Sequence, residues 1–228
     1  MFSIRTRLAT WRRDRRGVLR ACGVCALAAA IAAAVLAVAG VGPERDRFAW
    51  AQAEGGGLAG QLLVATPTMP DGRFAGTVIY MVSHDETGAM GVVVNLPIGD
   101  VPVSELMNGL GFEDEKAPGE IRLHYGGPVE ESHGFVLHSP DYTNTGTVFV
   151  DNGLALTTNR DIMRDIVAGD GPRRKLVAFG YAGWSAGQLE AEMETGVWIT
   201  VPADDELVFD EDYDRKWERA MARRAFDL

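Results

Sequence analysis

The sequence predicts an α+β domain with a largely antiparallel mixed sheet packed with a few helices. Three observations predict it. Short runs of β-branched and aromatic residues recur from residue 61 onward, turn chemistry separates them, and the few helical patterns fall between them without a repeating strand–helix–strand order. No internal repeat is visible.

Gln61–Ala65 (QLLVA) and Thr77–His84 (TVIYMVSH) read as strands around the turn-rich TPTMPDGR. Asp85-Glu86-Thr87-Gly88 closes a hairpin into a buried strand, Ala89–Leu96, that stops at Pro97. Val101–Leu110 reads as a helix, with Glu105 in an early turn and Gly109 and Gly111 at its end. Strands are expected at Ile121–Tyr125, Gly134–His138, Thr147–Val150 and Leu154–Thr157. Gly126-Gly127-Pro128 and Asp151-Asn152-Gly153 supply positive-φ turns between them. Asn159 caps a helix through Ala168 that ends at Gly169 and Gly171-Pro172. From Lys175 an apolar strand runs into a glycine-dense turn and a helix opening on Gln188. Val197–Pro202 is a further strand, followed by a short Glu206–Phe209 extension. The closing helix, from about Tyr213 to Ala225, buries Trp217, Met221 and Phe226.

Residues 1–53 stand apart from this domain. Seven arginines and one acid occupy residues 1–20, and the 22 residues Ala21–Gly42 carry no charge. About 20 apolar residues cross a bilayer as a helix, and flanking arginines favour the cytoplasmic side. An export signal fits Arg15-Arg16-Gly17-Val18-Leu19-Arg20, which resembles a twin-arginine motif, together with the small-x-small site Ala51-Gln52-Ala53. An uncleaved anchor through residues 21–42 fits the length of the apolar run; a start assigned too far upstream is the third reading. Glu54–Gly60 (EGGGLAG) forms a flexible junction, and the main domain is expected at 61–228.

Of 22 basic and 32 acidic side chains, nine arginines and three acids lie in residues 1–53. The remainder therefore carries 13 and 29, a formal net charge of −16. Such a surface repels a nucleic-acid duplex and disfavours direct nucleic-acid binding. Its one dense basic run is Arg173-Arg174-Lys175. Arg215, Lys216, Arg219, Arg223 and Arg224 alternate with acids in the closing helix, as on a solvated face. Both cysteines, Cys22 and Cys25, lie in the apolar leader, so the domain has no thiol, disulfide or cysteine metal site.

Gly183-Trp184-Ser185-Ala186-Gly187 has the spacing of a nucleophile elbow. The serine–acid–histidine order of that fold is absent, since His84, His124, His133 and His138 all precede Ser185. The closely spaced His124, His133 and His138, with Glu130 and Glu131 among them, form no helical ligand motif, and no metal site or cofactor is assigned. Paired carboxylates such as Glu190 and Glu194 read as solvated surface. A glycine-preceded helix start at Gly183–Gln188 offers N–H groups to an anion or a carbonyl oxygen. Gly126 and Gly127 form a second bend where a backbone can approach a ligand or another strand.

These motifs add up to a pattern. Gln61-Leu62-Leu63-Val64-Ala65 with Pro67, Gly88-Ala89-Met90-Gly91 with Asn95, Gly126-Gly127-Pro128-Val129, Gly134-Phe135-Val136-Leu137-His138, and Gly180-Tyr181-Ala182-Gly183-Trp184 with Gly187-Gln188-Leu189-Glu190 resemble the YqgE/AlgH family (UPF0301, DUF179) from about residue 60 to the C-terminus. The resemblance implies a bacterial α+β protein without an established activity. The family's transcriptional-regulator label comes from an association with alginate production, without a recognised DNA-binding motif. Family members are usually leaderless and expected in the cytosol, whereas residues 1–53 point to a membrane or exported location, so localisation is read both ways. The resemblance also admits glycine at the position of Ser185, which weakens the nucleophile reading.

Two functions follow. The first is a small-molecule- or partner-binding, regulatory domain whose ligand-binding residues are Gly126, Gly127, Gly183, Trp184 and Gln188. The alternative is a hydrolase or transferase with a histidine acid/base beside the Gly183–Gln188 turn, for which His84, His138 and Ser185 are the catalytic candidates. Ligand, substrate and partner are not named by the sequence.

Overall fold

The apolar runs form ten strands and the helical patterns five short helices in a computed structural model that describes residues 57–112, 117–150 and 153–223. The strands are β1 (Gln61–Ala65), β2 (Val78–Asp85), β3 (Gly88–Val93), β4 (Pro97–Pro102), β5 (Glu120–Tyr125), β6 (Val129–His138), β7 (Thr147–Phe149), β8 (Ala155–Thr157), β9 (Lys175–Ser185) and β10 (Trp198–Pro202). The helices are α1 (Val103–Gly109), α2 (Ile162–Ala168), α3 (Gln188–Glu194), α4 (Asp205–Phe209) and α5 (Tyr213–Arg223). The main sheet runs β10-β1-β2-β3-β9-β6-β8-β7, and β4 joins through β5. All pairs are antiparallel except β5 with β9. The α+β expectation holds.

β1 and β2 are nearly continuous in burial because they lie inside the sheet with both faces covered. Their Leu62, Leu63, Val64, Ile79 and Met81 join Leu123, Phe135, Leu137 and Leu156 in the core. Asn95 is buried beside them with both polar atoms partnered: its Oδ1 accepts from the Val78 N–H at 2.8 Å and its Nδ2 donates to the Gly76 carbonyl at 2.9 Å. α5 closes this face, where Trp217 Nε1 donates to the Ala65 carbonyl at 2.7 Å.

β9 organises the rest. Along one edge it pairs with β5 through Val177–Phe179 and then with β3 through Ala182–Ser185; along the other it pairs with β6 from Lys175 to Tyr181. The partner changes at Gly180, which has φ +74°, and the β6 register shifts at the same level. The strand bends there and the sheet curls.

Several expected boundaries move. The glycine-dense segment from Gly180 to Ser185 is strand rather than turn, since Tyr181 pairs with β6 and Ala182–Ser185 pair with β3. Pro97–Pro102 forms β4, so Val101 and Pro102, expected in the helix, are strand, and the helix starts at Val103. Asn159 Oδ1 accepts from the Asp161 N–H at 2.9 Å, but the helix begins later, at Ile162. Glu206–Phe209 lies in a helix, capped by Asp204 accepting from the Leu207 N–H at 2.7 Å. In α5 the buried residues are Lys216 and Ala220, with Trp217 half-buried, so Lys216 is not on a solvated face. The end of the junction is docked rather than loose: Gly60 N–H donates to the Met81 carbonyl at 2.9 Å and Leu58 N–H to His84 Nδ1 at 3.2 Å. Residues 1–53, with the span at 21–42, and Phe226 lie outside the described residues; among those described, no helix is long and apolar enough to cross a membrane.

Candidate functional site

The Gly126-Gly127 bend packs against the β9 backbone at Gly180–Ala182, upstream of the Gly183–Gln188 turn. A Cβ on Gly126 would fall 2.1 Å from the Gly180 oxygen, and one on Gly127 2.1 Å from the Tyr181 carbonyl carbon. Gly126 N–H donates to the Phe179 carbonyl at 2.8 Å, and its own carbonyl accepts from Val93 N–H at 2.9 Å. The space expected for a ligand there is occupied by β9. Absence of side chains at Gly126, Gly127 and Gly180 lets two strands touch at the curl.

The residues of the Gly183–Gln188 turn are engaged with one another. Trp184 is buried, and its Nε1 donates to Glu192 Oε2 at 3.0 Å; Trp198 Nε1 donates to the same oxygen at 2.7 Å. Gln188 Nε2 donates to Glu192 Oε1 at 2.9 Å while its own oxygen accepts from the Ser185 N–H at 3.1 Å. Gly183 is an exposed strand residue whose added Cβ would meet the Tyr181 ring at 3.1 Å. One carboxylate thus knits β9, α3 and β10, and the Ser185 N–H has an internal acceptor.

The three catalytic candidates are kept apart. His138 lies opposite Lys175, and the eight strand steps from there to Gly183 span roughly 26 Å. It is fully buried: Nδ1 donates to the Ser139 carbonyl at 2.7 Å, which leaves Nε2 to accept from Thr157 Oγ1 at 2.8 Å. Desolvation lowers its pKa, and it serves as a structural neutral ring. His84 does stand beside the turn, with Nε2 2.9 Å from Glu190 Oε1. Because Nδ1 accepts from Leu58, the proton of the neutral ring sits on Nε2 and is donated to Glu190. Ala89 pairs with both His84 and Trp184, so those side chains leave one face of the sheet; Ser185, one residue on, leaves the other. The described structure gives Ser185 no histidine.

A different place holds an unsatisfied polar group. A groove of about 570 Å³ is bounded by β5, the segment Arg173–Val177 and the α4–α5 hairpin. Its far wall is fixed by ion pairs of Arg219 with Asp210 and Arg223 with Asp204, and by Lys216 Nζ donating to the Val208 carbonyl at 2.7 Å. His124 lines the groove, 2 % exposed, with its ring 5.1 Å from that of Tyr213. Nδ1 is 3.2 Å from the Val177 carbonyl, which can only accept, so the proton is on Nδ1 and Nε2 presents a lone pair. Among the described residues nothing donates to that lone pair. Burial lowers the His124 pKa to about 4, helped by nearby Lys216 and Arg122, so the ring is neutral at physiological pH. The Arg173-Arg174-Lys175 run lies on one wall, and Glu206 and Glu211 lie on another. Sequence reading assigned His124 no role. Only its pairing with Val177 and the approach of Tyr213, 89 residues on, expose the difference.

The fold and this groove describe an α+β domain built on a curled, mainly antiparallel sheet, with no group of three or more His, Cys, Asp or Glu placed to hold a metal among the described residues. Comparison with known proteins narrows the class. DUF179, the AlgH-like family, matches residues 62–228. A UPF0301 protein of Rhodospirillum rubrum is 46% identical over 172 residues, covering 75% of this chain and 90% of the relative; one of Methylocella silvestris is 46% identical over 195 residues, covering 82% and 95%. The solution structure of the AlgH protein from Pseudomonas aeruginosa, a UPF0301 member, superposes with a TM-score of 0.65 at 38% identity, covering 75% of this chain and 92% of that one. The chain belongs to the AlgH-like UPF0301 family.

Proposed function

We propose that this protein is a small-molecule-binding domain whose ligand occupies the β5–β9–α5 groove. The observation that carries the reading is a concavity of about 570 Å³ lined by His124, a neutral, buried imidazole whose undonated Nε2 lies covered beneath the groove surface. A buried acceptor without a donor costs about 1–3 kcal/mol, a cost that a ligand hydrogen bond offsets. The size falls in the range of small-ligand sites, roughly 300–1,000 Å³. A regulatory role would then act through ligand occupancy, because a net charge of −16 over residues 54–228 opposes direct DNA contact.

The test is thermal. A protein-free small-molecule extract of bacterial cells is expected to raise the Tm of the full chain and to raise that of folded His124→Gln and Arg174→Ala variants less, since a ligand stabilises only the state that binds it. Equal shifts in all three proteins, or none in the wild type, overturn the site.

The catalytic alternative is supported by one observation, the His84–Glu190 pair at the start of α3, on the opposite sheet face from Ser185. Both ring nitrogens of His84 are engaged there, which favours a structural role.

A further inference from the structure

We infer that the groove selects a small anion that also carries hydroxyl groups, in the manner of a sugar monophosphate. The inference rests on the binding reading above and names its ligand class. Three features point to it. His124 Nε2 is an acceptor only and lies covered beneath the groove wall, so a ligand that displaces the wall and reaches it must offer a donor, and a hydroxyl supplies one. Arg173-Arg174-Lys175 is the only run of three consecutive cations after residue 53, and all three line this groove.

Those cations are lightly held. Arg173 gives only Nε to Asp141, at 2.8 Å, and its side chain is 84% exposed. Arg174 is 3.9 Å from Asp205, and Lys175 Nζ donates to the Pro172 carbonyl at 3.3 Å. Guanidinium groups with unused N–H donors match phosphate or carboxylate oxygens.

The third feature is the opposing wall. Glu206 and Glu211 are exposed carboxylates that line the groove and form no ion pair within 4 Å among the described residues. Carboxylates accept from hydroxyls and repel a second anionic group. A polyanion is therefore disfavoured, while a molecule with one charged end and a hydroxylated body meets complementary groups on both walls. Ile121, Leu176 and Phe209 add apolar surface for the carbon skeleton.

The experiment titrates the full chain, isotope-labelled, and follows backbone amides and the histidine ring nitrogens by NMR, with affinities from calorimetry. Glucose 6-phosphate and glycerol 3-phosphate are the probes; ethyl phosphate supplies the anion alone, glucose the hydroxyls alone, and spermidine a cation. The expected result is a shift of the His124 Nε2 resonance and binding of a sugar phosphate at least about ten-fold tighter than of ethyl phosphate or glucose, or about 1.4 kcal/mol. Arg173→Gln with Arg174→Gln, both at exposed positions, lowers sugar-phosphate affinity about ten-fold and leaves glucose unchanged. His124→Gln narrows the preference for glucose 6-phosphate over ethyl phosphate. Ethyl phosphate binding as well as the sugar phosphates overturns the hydroxyl half. Spermidine binding at the groove more tightly than any anion overturns the ligand class and leaves the site standing. Groove resonances silent to every probe overturn the class, while the extract experiment decides the site independently.

Discussion

Lys216 lies wholly inside the protein, with Nζ donating to the Val94 carbonyl at 3.1 Å and to the Val208 carbonyl at 2.7 Å. Two acceptors match the two N–H bonds of a neutral amine; the third hydrogen of an ammonium would be left facing the Tyr213 ring, whose centre is 5.0 Å from Nζ. Desolvation lowers the pKa from 10.5 to about 7. Between those values the unfolded chain binds more protons than the folded one, so stability rises with pH by up to about 1.4 kcal/mol per unit from this group. Below pH 7 both states are protonated and the burial cost is fully present. Lys216→Met removes the titration but strands two carbonyls, at about 1–3 kcal/mol each. Relative to wild type, the variant is expected to be clearly less stable at pH 9 and less disadvantaged at pH 6, read from urea midpoints at the two pH values. An equal difference at both values would show that Lys216 does not titrate in this window.

At the scale of elements, the curl depends on β9 lying against the bend that follows β5. Gly127→Ala would put a methyl 2.1 Å from the Tyr181 backbone, where both neighbours are main chain and cannot yield. Gly187, the N-cap of α3 at φ +72°, has nothing within 4 Å of an added Cβ. Gly187→Ala is expected to cost only the left-handed strain, roughly 1–2 kcal/mol. Gly127→Ala should cost at least about twice that, and chemical denaturation of the two variants checks the ordering. Equal losses would remove the backbone contact as the cause of the curl. β9 also shows why one boundary was illegible: Gly180 and Gly183 carry turn chemistry, yet Gly183 pairs with Met90 of β3 and Gly180 is the point within the strand where the partner changes. β4 was missed for a related reason. PIGDVP carries two prolines and a glycine, and it is a strand because β5 lies against it.

Across the whole molecule the shifted groups act in one direction on the acid side. His124 and His138 are held neutral below their ordinary range, and Asp100, Asp141, Asp204 and Glu190 have lowered pKa values from hydrogen bonds and ion pairs, with Asp141 at about 2 chiefly through Ser139. A depressed folded pKa contributes stability above the unfolded value that is lost as pH falls toward the folded one. Stability should therefore fall first below about pH 6.5, where unfolded histidines charge, and again below about 4, where unfolded carboxylates protonate. On the alkaline side Tyr142, raised to about 12 by burial and its bond to Asp165, loses its contribution above pH 10, as do Tyr181 and Tyr213. With Lys216 favouring high pH, greatest stability is expected between about pH 7 and 10. Urea midpoints from pH 3 to 11 test this; a maximum near pH 5 would contradict it.

The amino-acid order alone determined the family, the α+β class and most strands, because β-branched runs and turn glycines act over a few residues and need no partner to be recognised. The acidic balance was equally legible, being a count. Tertiary structure decided what each special residue does. Gly126 and Gly127 meet β9 across more than 50 residues, so their bareness serves strand contact. His124 became the site candidate because its ring partners, Val177 and Tyr213, come from distant segments. Lys216 sits in a helix whose charges looked solvated, and only the carbonyls of Val94 and Val208 bring it inside. Hydrogen-bond satisfaction and burial are properties of neighbours in space, and those neighbours are far apart along the chain.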